Sequence, residues 1–227
     1  GGVRLRAPPK LNLNLLVGPL RADGYHPLDS YVAKVTLYDR LDLRLRDAGG
    51  VVLRCSGLAC GPPEDNLVVR AAEALADGAD VPGVEIHLAK SIPPGAGLGG
   101  GSSDAAAALR GLNALWDLRR TPEQLASVAA VLGSDVPLFL GGPASRMSGR
   151  GEEVVAAVVH DFAAVLCLPP LHTPTGAVYA RFDELDPRAG DPAARQIPAA
   201  LLTRRPSEWR HRLTNDLRPA SEGVNPE

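Results

Sequence analysis

Residues 10–17 read Lys-Leu-Asn-Leu-Asn-Leu-Leu-Val, a period-two alternation that puts Leu11, Leu13 and Leu15 on one face and Lys10, Asn12 and Asn14 on the other. The spacing predicts a strand with a polar face. Asp23-Gly24 is a turn signal, an apolar-rich run follows at residues 31–37, and Leu41, Leu43 and Leu45 alternate again, so the pattern predicts an antiparallel sheet in the N-terminal part. Asn66 is placed to cap a helix reaching about Ala76 and ending near Gly78. Val84, Ile86 and Leu88, alternating with Glu85 and His87, predict a further strand.

A glycine-rich stretch, Ile92 to Asp104, follows that strand directly and opens an Ala-rich helix expected to run to about Trp116. Thr121 and Pro122 read as N-cap and first residue of another helix, stopping at Gly133. A short apolar run follows Pro137, and the pattern restarts with strands expected at residues 154–159 and 164–168. Strands and helices therefore mix as in an α+β protein. The boundary is expected near residue 153, giving an N-terminal domain of residues 1–153 and a partial C-terminal α/β domain of residues 154–227. A second core with so few elements sits near the lower limit for independent folding.

Hydrophobic residues make up 45% of the 227, enough to fill a core, and a net charge of −2 gives no bulk field for gathering nucleic acid. No apolar run approaches the roughly 18 residues of a membrane span, and the first residues lack the layout of a signal peptide. The three cysteines, Cys55, Cys60 and Cys167, are odd in number and lack metal-ligand spacing, which argues against a disulfide framework and a structural zinc and fits a reducing cytoplasm. His87, His160, His172 and His211 share no metal-binding spacing either, and no metal site is expected from protein ligands. Among 24 basic residues only Lys10, Lys34 and Lys90 are lysines. Where this chain uses Lys, a compact ammonium is a candidate requirement.

The glycines satisfy the dinucleotide fingerprint at Gly95, Gly97 and Gly100, but the acid some twenty residues on, Asp117, closes a helix instead of ending a second strand. They nearly satisfy a P-loop as well, except that Gly101 stands where its Lys belongs. What survives is shared physics: glycines admit positive φ and close approach, successive N–H groups make an anion nest, and the next helix aims its positive end at the loop. Ser102 and Ser103 are placed to cap that helix or to meet a phosphate oxygen.

Pro93-Pro94-Gly95-Ala96-Gly97-Leu98-Gly99-Gly100-Gly101-Ser102-Ser103 resembles the ATP loop of the GHMP kinases, small-molecule kinases named for galactose, homoserine, mevalonate and phosphomevalonate. Pro9 to Leu13 and Arg21 to His26 resemble one branch of that superfamily, and residues 132–137 and 214–217 match further segments in the same order. The resemblance implies a two-domain GHMP-kinase-like fold with an ATP-binding N-terminal domain of mixed sheet and helices. It implies phosphorylation of a hydroxyl of 4-diphosphocytidyl-2-C-methyl-D-erythritol in non-mevalonate isoprenoid synthesis, with ATP as co-substrate and Mg²⁺ accompanying it. A mevalonate- or homoserine-type kinase and an inactive nucleotide-binding fragment are the alternatives. The branch's late glycine-rich segment has no counterpart before Glu227, so the C-terminal domain reads as incomplete.

By the same resemblance Asp135 is the catalytic base and Lys10 its cationic partner, with the eleven residues Pro93 to Ser103 on ATP. A carboxylate directly after Gly133-Ser134 and before Val136-Pro137 sits on a sharp connection, where helix capping is the plainer role. Asn12, Tyr25, His26 and Tyr179 are the implied contacts to the cytidine substrate; a tyrosine ring can stack on the base and His26 can meet its edge. No nucleic acid, membrane or obligate protein partner is expected.

Overall fold

A computed structural model of the chain describes residues 1–168, 173–185 and 191–225. In chain order the strands and helices are β1 (Gly2–Ala7), β2 (Lys10–Asn12), β3 (Leu16–Val17), β4 (Leu28–Lys34), β5 (Asp39–Arg46), β6 (Val51–Gly57), α1 (Leu67–Ala76), β7 (Gly83–Lys90), α2 (Gly100–Leu115), α3 (Pro122–Leu132) and α4 (Val136–Leu140). They continue with β8 (Ala144–Ser148), β9 (Glu153–Ala156), α5 (Thr175–Glu184), α6 (Ala199–Leu202), α7 (Pro206–Trp209) and α8 (Arg218–Val224). The fold is α+β, as the sequence pattern predicts.

The chain forms two compact units, and each is discontinuous: one holds residues 1–10 and 34–141, the other residues 11–33 and 142–227. Residue 153 falls inside the second unit, so the single cut expected from the restart of the strand pattern does not coincide with this division. The reason is long-range pairing: β4 lies antiparallel to β8, which ties residues 30–33 to residues 144–147, more than a hundred positions later.

In the first unit the sheet order is β1-β5-β7-β6, antiparallel except for the parallel pair β6 and β7. Leu41, Leu43, Val84, Ile86 and Leu88 are its buried face, and α1 and α2 cover it with Val68, Ala72, Leu75 and the run Ala105 to Leu109. Alanines bring α2 close to the sheet. At Gly111 a Cβ would lie 2.5 Å from both Leu5 Cδ1 and Leu43 Cδ1, so any side chain there would lift the helix. Asn66 caps α1, its side chain accepting from Val68 N at 2.9 Å, and Thr121 and Gln124 form a capping box at α3. β1 and β6 lie outside the sequence-based expectations, because their alternation is diluted by exposed arginine, serine and cysteine.

The cysteine expectation is corrected here: Cys55 and Cys60 form a disulfide, while Cys167 is free and exposed. β6 ends at Gly57 (φ +83), where the chain turns back, Leu58 N donates to Lys90 O at 3.0 Å, and Asn66 Nδ2 holds Cys60 O at 3.0 Å. Counting cysteines cannot see that turn.

The second unit contains the sheet β2-β4-β8-β9, with β3 also on β4. Leu13, Tyr31, Ala33, Ile197, Leu202 and Trp209 form one core cluster, and Val17, Val178, Phe182 and Ala220 another. The strand expected over residues 10–17 breaks after Asn12, and Asn14, expected on a polar face, is 1% exposed. Its side chain replaces missing ladder bonds, accepting from Tyr31 N at 2.8 Å and donating to Gln196 Oε1. Residues 164–168 are not a strand; Val165 is exposed there, and β9 stops at Ala156.

The segment at residues 214–217 clamps this unit together. Asp216 Oδ2 accepts from Val17 N at 2.8 Å and from Arg195 Nη2 at 2.7 Å, and Leu15 bridges to Asn215. Among the described residues no helix is long and apolar enough to cross a membrane.

Candidate active site

In the first unit the glycine stretch runs from the end of β7 to the start of α2. Gly95, Gly97 and Gly99 all have positive φ, at +72°, +71° and +66°. Gly99 is the N-cap of α2, and the first intrahelical bond runs from Ser103 N to Gly99 O at 2.9 Å. The amides of Gly100, Gly101 and Ser102 precede it, at the positive end of a sixteen-residue helix. Leu98 is buried and anchors the loop, its carbonyl accepting from Lys10 N at 2.9 Å. Ser103 does not cap α2: its hydroxyl is buried and donates to Pro8 O at 2.6 Å, so it holds α2 to the chain before β2.

Lys10 and Asp135 meet beside this loop, Lys10 Nζ lying 3.6 Å from Asp135 Oδ2 with the two side chains 12% and 32% exposed. Asp135 is the N-cap residue of α4, yet its side chain makes no capping hydrogen bond. The capping role is thus not what its carboxylate performs. α4 is fixed by buried Val136, Leu138 and Phe139, and a Cβ at Gly99 would come within 2.9 Å of Phe139 Cζ and 3.2 Å of Lys10 Cγ. Lys34 closes the other end of α4, donating to Phe139 O at 3.1 Å and Gly141 O at 2.6 Å. Burial, with the Arg110 charge in addition, lowers Lys34 to about 8.

Beneath the loop lies a buried charge cluster. Lys90 Nζ donates to Asp39 Oδ2 at 2.5 Å and Asp104 Oδ2 at 2.8 Å, while Asp39 Oδ1 accepts from Ser91 N at 2.5 Å and Ile92 N at 2.8 Å. One ammonium faces two carboxylates. Burial opposes the charge on Lys90, but the pair of acids raises it above its ordinary value; burial pushes Asp104 up to about 7, with Lys90 only partly offsetting it. Asp104 Oδ1 is buried without a hydrogen-bond partner. The sequence pattern missed this cluster, although the scarcity of lysine was a signal toward Lys90.

The second unit carries the residues implied for base recognition. Gly24 turns the chain at φ +80, with Arg21 N donating to Tyr25 O at 2.9 Å. Tyr25 is 54% exposed, with the Arg150 guanidinium 4.7 Å from its ring centroid. His26 stacks on Tyr179 at 5.6 Å and 27° and meets the edge of Phe182 at 5.5 Å. Its Nδ1 is 2.8 Å from Gly18 O, and its Nε2 lies 3.0 Å from Asp183 Oδ1, off the line of a hydrogen bond. Asn12 Nδ2 donates to Ser30 Oγ at 2.7 Å. His26 and Tyr179 are therefore brought together from positions far apart in sequence. His87 and Ser56 lie 3.0 Å apart, His160 and His211 are exposed, and His172 lies outside the described residues.

A positive-φ glycine loop opening a helix, beside an ammonium–carboxylate pair, is the arrangement of a small-molecule kinase, and residues 66–143 match the GHMP kinases N terminal domain. The fold agrees: a homoserine kinase from Cytophaga hutchinsonii superposes at a TM-score of 0.60 over 99% of this chain and 75% of that one, at 18% identity. A crystal structure of 4-(cytidine 5'-diphospho)-2C-methyl-D-erythritol kinase reaches 0.79 at 33% identity, covering 99% of this chain and 79% of that one.

The 4-diphosphocytidyl-2-C-methyl-D-erythritol kinase of Nocardia farcinica is 41% identical over 99% of this chain and 75% of its own length. That of Salinispora tropica is 40% identical over 100% and 74%. The chain belongs to the 4-diphosphocytidyl-2-C-methyl-D-erythritol kinase family of the GHMP kinases.

Proposed function

We propose that this chain moves the γ-phosphoryl group of ATP to a hydroxyl of 4-diphosphocytidyl-2-C-methyl-D-erythritol, in the non-mevalonate route to isoprenoid precursors and in the cytoplasm. The observation that carries the reading is Lys10 Nζ at 3.6 Å from Asp135 Oδ2, beside Gly99 at the head of α2. The loop amides and the helix end cradle the phosphates, and Ser102 in the first turn meets a phosphate oxygen. Asp135 accepts the acceptor hydroxyl's proton as its oxygen attacks phosphorus, and Lys10 holds carboxylate and hydroxyl in register. Mg²⁺ accompanying ATP would supply charge neutralisation for the phosphates. Tyr25, His26, Tyr179 and Asn12 bind the cytidine part; the base gives the aromatic side chains something to stack on, which mevalonate and homoserine lack.

ADP release measured with the cytidine-diphosphate polyol, mevalonate, homoserine and no acceptor tests the reading. Release with the cytidine compound alone is expected. Equal release with mevalonate or homoserine assigns a sister activity, and ATP binding without release for any acceptor assigns a binding module.

A further inference from the structure

The buried cluster under the loop is not accounted for by phosphate cradling or by the Lys10–Asp135 pair. Lys90 is the last residue of β7, Ser91 and Ile92 enter the loop, and Asp104 lies one turn into α2, so the cluster joins both ends of the loop to Asp39 at the start of β5. Each Asp39 oxygen has a separate duty: Oδ1 takes the two amides at the loop entrance, and Oδ2 takes the ammonium. The ammonium then crosses to Asp104 Oδ2. A Cβ at Gly100 would sit 3.2 Å from Lys90 Nζ and 2.9 Å from Ile92 Cγ2, which places the cluster directly beneath the first residue of α2. Side chains of Lys90, Asp39 and Asp104 are 6%, 0% and 2% exposed. They do not reach the surface that a nucleotide would touch.

We propose that Asp39, Lys90 and Asp104 form a positioning brace for the ATP loop, in which the Lys90 ammonium fixes the spacing between loop entrance and helix α2 and thereby sets affinity for the ATP phosphates. A glycine loop with three positive-φ residues has many conformations to lose on binding, and fixing its two ends removes part of that cost beforehand. An ammonium with two hydrogen-bonded carboxylates, in a site closed to water, sets that distance within narrow limits. The three residues are positioning groups and touch no reacting atom. The inference deepens the proposed function and rests on it for its ATP term only.

Asp104→Ala removes the bond to Lys90 and leaves the Lys90–Asp39 bond. Asp104→Asn keeps an oxygen for that bond at nearly the same place. Amide hydrogen exchange on the ATP-free protein reads the loop itself: exchange at residues 91–103 is expected to quicken about tenfold or more in Asp104→Ala and to stay near parental in Asp104→Asn. ATP titration by calorimetry should then weaken about tenfold in Asp104→Ala only, with KM for the cytidine substrate unchanged. Parental exchange in Asp104→Ala, or equal quickening across the whole unit in both variants, overturns the brace. Should Asp104→Ala fail to fold, Asp104→Asn decides: loop exchange or ATP affinity altered about tenfold, with the fold intact, contradicts an oxygen-held brace, and parental values for both support it. A parental protein that binds no ATP while loop exchange follows the expected pattern removes the kinase reading and leaves the brace.

Discussion

Lys10, Lys34 and Lys90 are the only lysines in the chain, and each holds a fixed place in one unit: beside Asp135, at the end of α4, and under the loop. Arginine is not equivalent at Lys90, where a compact ammonium donates to Asp39 and Asp104 at once. Asp104 carries a consequence for stability. Its folded value of about 7 lies above the ordinary 3.8, so between those values the folded protein holds a proton that the unfolded chain releases. Stability therefore falls as pH rises through that window, by at most about 1.4 kcal/mol per pH unit. Asp104→Asn carries no such proton: its Tm relative to the parental protein should climb from pH 4.5 to 7.5 and then level off, and a constant difference on a melting series would contradict the assignment. The exposed Tyr25 predicts differently. Tyr25→Ala should weaken the cytidine substrate by about 1–3 kcal/mol if its ring stacks on the base. Tm and ATP affinity should stay put, and equal loss for both ligands would mark it as structural.

At the scale of elements, the glycine stretch divides into two kinds of glycine. Gly99 and Gly100 are glycines because Phe139, Ile92 and Lys90 leave no room, whereas a Cβ at Gly97 meets nothing within 4 Å and only its φ of +71 matters. Gly97→Ala is thus the cleaner probe of the cradle, costing about 1–2 kcal/mol for the left-handed backbone. It should lower Tm by only a few degrees and weaken ATP about tenfold. A lower Tm with undiminished ATP affinity would separate the loop from phosphate. The helix boundaries at Asn66 and Thr121 were legible because capping is local chemistry, written within four residues, whereas the cap expected of Ser102 or Ser103 falls to Gly99, which has no side chain to cap with. Asn14 and the pairing of β4 with β8 were not, because their partners lie at Tyr31, Gln196 and residues 144–147. The same distance hid the Asp39–Lys90–Asp104 cluster, each of whose members sits in an ordinary-looking place.

For the whole molecule, kinship fixes more than pattern does. Lys10 and Asp135 are 125 positions apart, and no periodicity links them; motifs in family order led to the pair, and the fold brings the two side chains to 3.6 Å. His26 and Tyr179 are a second such pair, now seen stacked. Each pair lies within its own unit, Lys10 and Asp135 in the first, His26 and Tyr179 in the second. The account stands on Lys10 and Asp135 acting as one group in phosphoryl transfer, and steady-state turnover of Asp135→Asn, Lys10→Ala, Lys10→Arg and the Asp135→Asn/Lys10→Ala double variant, alongside binding of both substrates, tests it most directly. Asp135→Asn should lose about 10²–10⁴ in turnover with both substrates still bound, Lys10→Arg should not restore what Lys10→Ala loses, and the double variant should be little worse than the worse single one. Near-parental turnover in Asp135→Asn, or losses that multiply independently, would contradict it.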